Sequence, residues 1–180
     1  TGTTYTNQQS VLNLSSTHGS TITLYAQWET NAYSIGFDGN GHTGGSTSGM
    51  TMKFDESKAL TANGYTRTGY TFKNWNTNAN GTGTTYTNRQ TVRNLTSVNG
   101  GTVTLYAQWN PITYKIVFNG NGHTGGSTSE MAMTYDVAAN LTENGFRKTG
   151  YVFTGWNTEP DGSGTRYTNR QSVINLSSTE

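Results

Sequence analysis

The chain has 180 residues, 31% hydrophobic and 12% charged, with eleven Lys+Arg against ten Asp+Glu and a net charge of +1. That balance excludes a highly charged disordered chain, and no apolar run approaches the eighteen or more residues of a membrane span. No basic stripe marks a nucleic-acid or anionic-membrane partner. Cysteine is absent, so no disulfide staple is used.

The first 28 residues read as the closing part of a larger unit. "TGTTYTNQQSVLNL" at Thr1 returns as "TGTTYTNRQTVRNL" at Thr82 and as "SGTRYTNRQSVINL" at Ser163. The strand-like "TITLYAQW" (Thr21–Trp28) follows it, then a short linker, "ETNA". Next, "YSIGF" places Tyr33, Ile35 and Phe37 on one face at period two, the mark of a half-buried strand. "DGNGHTGG" is dense in residues that accept positive φ and reads as a long hairpin tip. "MTMKF" alternates again, with Met50, Met52 and Phe54 inward. In "TGYTFKNWNT", Tyr70 and Phe72 keep the strand period while Trp75 is one residue out of phase, which predicts a bulge. "NRQTVRNL" (Asn88–Leu95) has Val92 and Leu95 three apart, the spacing of one or two helical turns with Asn88 as cap. "TVTLYAQW" closes the unit with Val103, Leu105, Ala107 and Trp109 on one face. A second short linker, "NPIT", leads into another copy.

The copies keep strict register. "GNGHTGGSTS" occupies Gly39–Ser48 and, 81 residues on, Gly120–Ser129; between Tyr33–Asn99 and Tyr114–Glu180 there are about 39 identities in 67 positions. This period exceeds that of solenoids and suits a small domain repeated as beads. The expected organisation is the C-terminal part of a repeat at 1–28, a complete repeat at 29–109, and at 110–180 a repeat lacking its last strand. Linkers of four residues predict stacked, semi-rigid beads. The overlap of Thr1–His18 with Ser163–Glu180 suggests a window on a longer array. Trp28 matches Trp109 and Trp75 matches Trp156; core packing is favoured for them over an exposed sugar-stacking platform.

The pattern "YxIxFDGNG…GYTFKNWNT…TVTLYAQW" resembles the Listeria–Bacteroides repeat, the B-repeat type of internalin B and of many large bacterial surface proteins. The resemblance covers the whole unit Tyr33–Trp109. It implies a β-grasp-like fold, so the fold class is expected to be α+β and β-rich, a tandem array of small β-grasp-like modules of 81-residue period. It also implies an extracellular role as stalk, adhesin segment or auxiliary receptor contact. The copy departs from the family pattern in its longer "NGHTGG" tip and in having few lysines and acidic residues.

Machinery shared by the units should recur at 81. Asp55 and Asp136 are the only acidic pair that does, and one carboxylate per unit provides no acid–base couple. His42 and His123 recur in glycine-rich tips without a Ser, Cys or carboxylate recurring beside them in sequence. "DGNGH" at Asp38 becomes "NGNGH" at Asn119, so a calcium-type loop loses its carboxylate, and no zinc spacing exists. Lys53, Lys58, Lys73, Lys115 and Lys148 each map to another residue type, which excludes an isopeptide staple common to both units. No catalytic residue, metal site or cofactor is expected. Sequons recur in register at Asn13, Asn94 and Asn175, with further ones at Asn80 and Asn140, as candidate glycosylation sites; the alternative for Asn94 is the cap or end of a short helical turn. The tip residues Asn40, His42, Thr43, Asn121, His123 and Thr124 are the candidate ligand contacts.

Three functions follow. The leading one is a structural and adhesive tandem-repeat segment of a large bacterial extracellular or surface protein, partnered by neighbouring repeats, with repeated sites for a host receptor or glycan. The second is a filament subunit joined by intermolecular β-strand complementation, because Tyr114–Glu180 stops before its own "TVTLYAQW" while Thr21–Trp28 carries a spare one. The third is a carbohydrate- or receptor-binding module.

Overall fold

The computed structural model describes residues 2–179. The chain divides into two compact units, Thr1–Thr30 and Asn31–Glu180. Among its described residues the first contains turns but no strand. Gln9 N–H donates to the Thr6 carbonyl at 3.2 Å and Ser20 N–H to the Thr17 carbonyl at 3.3 Å. Such turns close over three residues and need no partner chain, whereas a strand does. Accordingly "TITLYAQW" forms no strand and no ladder, and Trp28 is 91% exposed.

The complete repeat in the second unit carries nine strands: β1 (Ala32–Asp38), β2 (Gly44–Gly45), β3 (Met50–Lys53), β4 (Ser57–Ala59), β5 (Tyr65–Thr66), β6 (Tyr70–Asn76), β7 (Thr85–Tyr86), β8 (Thr91–Arg93) and β9 (Thr102–Pro111). Five of them form one sheet in the order β3-β1-β9-β6-β7, while β2 pairs with β5 and β4 with β8. The ten-residue β9 lies at the centre, parallel to β1 and antiparallel to β6. Its inward residues Leu105 and Ala107 are fully buried. They meet Tyr33 and Ile35 of β1, Met52, Leu60, Trp75 and Val92 in one core. Burying a side chain such as Leu105 contributes about 2 kcal/mol, so the central strand supplies much of the stability of so small a core. The ladder between β6 and β9 shifts register between Phe72 and Asn74. That shift is the bulge read from the sequence, and it turns Trp75 into the core.

The helical expectation fails, and with it the α+β, β-grasp-like class as stated: among the described residues there is no helix, and the fold is all-β. Within Asn88–Leu95 the chain makes a turn and then β8, where Val92 points inward between exposed Thr91 and Arg93. Asn94 then adopts φ 53°, ending the strand and returning Leu95 to the core margin. A strand broken by one left-handed residue thus reproduces the three-residue apolar spacing of a helix. Asn88 caps nothing; its side-chain oxygen accepts a hydrogen bond from Asn63 N–H at 2.9 Å.

The second repeat repeats these elements as β10 (Thr113–Ile116), β11 (Gly125–Gly126), β12 (Met131–Thr134), β13 (Ala139–Asn140), β14 (Phe146–Arg147), β15 (Trp156–Asn157), β16 (Arg166–Tyr167) and β17 (Ser172–Val173). The pairs β10-β12, β11-β14, β13-β17 and β15-β16 keep the register of their counterparts. No counterpart of β9 is present among the described residues. β15 spans two residues where β6 spans seven. Tyr151, Val152 and Phe153, which match the paired Tyr70, Thr71 and Phe72, form no ladder and lie exposed. The remaining core is Phe118, Met133, Leu141 and Val173, and Trp156 is only partly buried against it.

Candidate functional site

The hairpin tips are bound to their own repeats. Asn40 adopts φ 44°, and its N–H donates to Asp38 Oδ1 at 2.7 Å; Asn121 does the same to Asn119 Oδ1 at 2.8 Å. This Asx turn uses one side-chain oxygen that Asp and Asn share, which accounts for the exchange of carboxylate for amide between copies. Asn40 Nδ2 also donates to the Ala79 and Ala107 carbonyls, each at 2.8 Å. Asn121 Nδ2 reaches the matching Pro160 carbonyl at 2.8 Å. His42 lies on Tyr65 with ring centroids 4.6 Å apart, and His123 on Phe146 at 4.7 Å. Each histidine folds back over a glycine: a Cβ on Gly39 would meet His42 Nδ1 at 2.3 Å. The hydroxyls of Thr43 and Thr68 lie 3.1 Å apart, and those of Thr124 and Thr149 likewise 3.1 Å apart. The six candidate tip residues therefore cluster as two copies of one self-bonded loop.

Two of the recurring sequons, at Asn94 and Asn175, serve a clasp. Asp55 N–H donates to Asn94 Oδ1 at 2.5 Å while Asn94 Nδ2 donates to Asp55 Oδ1 at 2.9 Å. Asp136 and Asn175 repeat this reciprocal pair at 2.6 and 2.7 Å. All four residues have positive φ, from 52° to 69°, a conformation that Asp and Asn tolerate better than other side chains. The Asn94 amide first and the Arg93 guanidinium second hold the Asp55 carboxyl below the usual carboxylate range. Asn13 likewise has φ 51° in the first unit. Asn80 sits in an exposed turn, its oxygen accepting from Thr82 N–H at 3.1 Å, and Asn140 is exposed on β13. Only the recurrence of Asp55 and Asn94 at 81 hinted at the clasp.

A third arrangement joins the repeats, and sequence reasoning missed it. β9 runs through buried Ile112 into β10; Ile112 N–H donates to the Gly69 carbonyl at 2.9 Å, and its own carbonyl accepts from Tyr135 N–H at 3.0 Å. The Tyr135 ring covers Gly69, where an added Cβ would meet ring carbons at 2.3 Å. Tyr70 packs edge-on against Tyr135 with centroids 5.7 Å apart, and its hydroxyl donates to Asp136 Oδ2 at 2.6 Å. Arg67 lies 4.0 Å above the Tyr70 ring. That bond lowers the Asp136 carboxyl and raises the Tyr70 phenol from their ordinary values. The second repeat presents the same half-joint again, with Lys148 4.7 Å over Tyr151, next to Gly150.

Among the described residues no group of three or more His, Cys, Asp or Glu could hold a metal ion, and no helix is long and apolar enough to cross a membrane. The recurring geometry consists of turns, clasps and joints, which fix backbone and set the relation between neighbouring repeats.

Comparison with known proteins points the same way. The family model for the Listeria-Bacteroides repeat domain matches residues 33–108 and 114–179. A protein of Evansella cellulosilytica called "Putative Gly-rich membrane protein" is 41% identical over 103 residues, covering 56% of this chain and 12% of its own length. Another from that organism, "Putative membrane protein", is 30% identical over 154 residues, covering 84% of this chain and 22% of itself. The chain thus spans less than a quarter of either relative. No solved structure matches it.

Proposed function

The chain belongs to the Listeria–Bacteroides repeat family, and from that premise we propose that it is a structural and adhesive repeat segment of a large bacterial surface protein, displayed outside the cell. Its repeats extend the parent protein and hold it at a set spacing. The observation that carries this reading is the joint around Ile112, Gly69, Tyr70, Tyr135 and Asp136. Main-chain hydrogen bonds on both sides of Ile112, with the aromatic and carboxylate contacts, resist swivelling between the repeats. A flexible linker would carry no such bonds. Relatives bearing membrane-protein names, each several times longer than this chain, support an anchored parent. Weak repeated contacts to a host receptor or glycan would gain strength by avidity.

Residual dipolar couplings on the isolated chain test the mechanical part. One alignment tensor common to both repeats is expected; two independent tensors would rule out a stiff spacer. Display is tested on intact cells producing the parent protein, where an antibody against the repeat should bind and added protease should remove the epitope.

A further inference from the structure

Seven asparagines of the chain are followed directly by glycine. That pair has chemistry of its own. The backbone nitrogen after an asparagine can attack the side-chain carbonyl carbon, Cγ, and a glycine there places no Cβ in the way of the approach. Attack needs two freedoms. The nitrogen must be able to give up its proton, and the amide must be able to bring Cγ to it.

Six of the seven pairs lack one of these. Gly64 N–H donates to Thr47 Oγ1 and Gly145 N–H to Thr128 Oγ1, each at 2.9 Å. Gly81 N–H donates to the Asn78 carbonyl at 2.9 Å and Gly100 N–H to the Ala32 carbonyl at 2.7 Å. At Asn40–Gly41 and Asn121–Gly122 the amide itself is tied, on a left-handed backbone, by Nδ2 bonds of 2.8 Å to the Ala79 and Ala107 carbonyls and to the Pro160 carbonyl. Asn119–Gly120 is held at neither point. Among the described residues neither Gly120 N–H nor Asn119 Nδ2 reaches an acceptor, and Asn119 is exposed. The one bond of the Asn119 side chain favours the reaction: Oδ1 accepts from Asn121 N–H at 2.8 Å. This Asx turn closes a ring containing both Cγ and the Gly120 nitrogen, and it draws electron density from Cγ. We infer that Asn119–Gly120 is a self-modifying site, at which the tip of the second repeat loses ammonia and becomes acidic.

The Gly120 nitrogen gives its proton to hydroxide and bonds to Cγ. The Cγ–Nδ2 bond breaks, and that nitrogen leaves as ammonia, closing a five-membered succinimide. Water then opens the ring. Cleavage of the bond from the ring nitrogen to Cγ gives aspartate; cleavage of its bond to the main-chain carbonyl carbon gives isoaspartate. One water is consumed and one ammonia released, with no change of oxidation state. Packing keeps the glycine in place, since a Cβ on Gly120 would meet His123 Nδ1 at 2.4 Å and Phe146 Cδ1 at 2.7 Å. The first repeat already holds the aspartate product: Asp38 stands at the matching position and its Oδ1 accepts from Asn40 N–H at 2.7 Å. Aspartate at 119 therefore keeps the turn and adds a negative charge to the tip, whereas isoaspartate lengthens the main chain there by one methylene.

The test is peptide mapping by mass spectrometry of the folded 180-residue polypeptide during prolonged incubation in mildly alkaline buffer, beside the same chain held in denaturant. In the folded chain Asn119 should convert about tenfold or more faster than any other Asn–Gly pair, because only there are both reacting groups free and close. In denaturant the seven pairs should converge. Both aspartate and isoaspartate should be recovered at position 119. Conversion at Asn119 no faster than at Asn80 or Asn121 overturns the inference, as does the same ranking with and without denaturant. Aspartate without isoaspartate would mean direct hydrolysis of the amide and would overturn the cyclisation.

Discussion

Tyr70 and Asp136, 66 positions apart in sequence, share a 2.6 Å hydrogen bond that crosses from one repeat to the next. The bond shifts each partner in the direction that keeps it formed: the phenol holds its proton and the carboxylate stays ionised. Asp136 is lowered first by Tyr70 and then by Asn175, so its contribution is present above the unfolded carboxyl value of about 4 and is lost as pH falls through the lower folded value. Tyr70 is raised, so its contribution is present below the unfolded phenol value of about 10 and is lost as pH rises through the higher folded one. The joint should be firmest from about pH 5 to pH 9. Comparing thermal melts of wild type with Tyr70→Phe checks this: the difference should be largest in that window and shrink at both limits. A pH-independent difference would show that the hydroxyl does not bind a titrating carboxylate.

Gly69 and Gly150 offer a matched pair. Both have left-handed backbones, at φ 76° and 79°. A Cβ on Gly69 collides with the Tyr135 ring, whereas one on Gly150 meets nothing within 4 Å. Gly150→Ala should therefore cost only the backbone strain, about 1–2 kcal/mol. Gly69→Ala should cost more and also push Tyr135 aside, giving the two repeats separate alignment tensors. Equal effects of the two substitutions in melting and alignment would remove Tyr135 from the joint.

Much of this architecture was legible in the sequence, and the parts that were not share a cause. β1, β3, β6 and β9 are long enough for alternation to declare an inward face, and Trp75 out of phase disclosed the bulge. β2, β4, β5 and β8 have two or three residues each, too few to establish a period, and their partners are remote in sequence. The turn at Thr6–Gln9 shows the other extreme. Thr6 N–H donates to Gln9 Oε1 at 2.8 Å, as Thr87 does to Gln90 and Thr168 to Gln171. The turn forms in the first unit where no strand does, because its bonds are local. For the joint, recurrence at 81 marks Tyr70 and Asp136 separately. It does not reveal that the tyrosine of one repeat pairs with the aspartate of the next.

Asn76 is the buried polar residue of the complete repeat and organises the loop from Asn76 to Thr85. Its Nδ2 donates to the carbonyls of Gly81 and Gly83 and to Thr85 Oγ1, and its Oδ1 accepts from Asn78 and Gly83 N–H. Asn76→Ala leaves several of those groups without partners and should cost about 2–4 kcal/mol. Denaturant unfolding followed by tryptophan fluorescence measures the loss, since Trp75 is adjacent and fully buried. A loss within 0.5 kcal/mol, the range of ordinary surface changes, would mean that the loop is held by its own turns.

The sequons make a final distinction. Glycosylation joins sugar to the Nδ2 atom, and in Asn94 and Asn175 that atom donates to Asp55 and Asp136 within the clasp. Attaching a glycan there means breaking the reciprocal pair and removing a hydrogen bond that the amide gives the carboxylate. Asn80 and Asn140 are exposed and have no part in a clasp. If the folded chain is presented to an oligosaccharyltransferase, peptide mapping should find sugar at Asn80 and Asn140 ahead of Asn94 and Asn175. Asp55→Ala should release Asn94 alone and raise its occupancy, leaving Asn175 unchanged. Equal occupancy at all four sites would mean that the clasp opens faster than the enzyme acts.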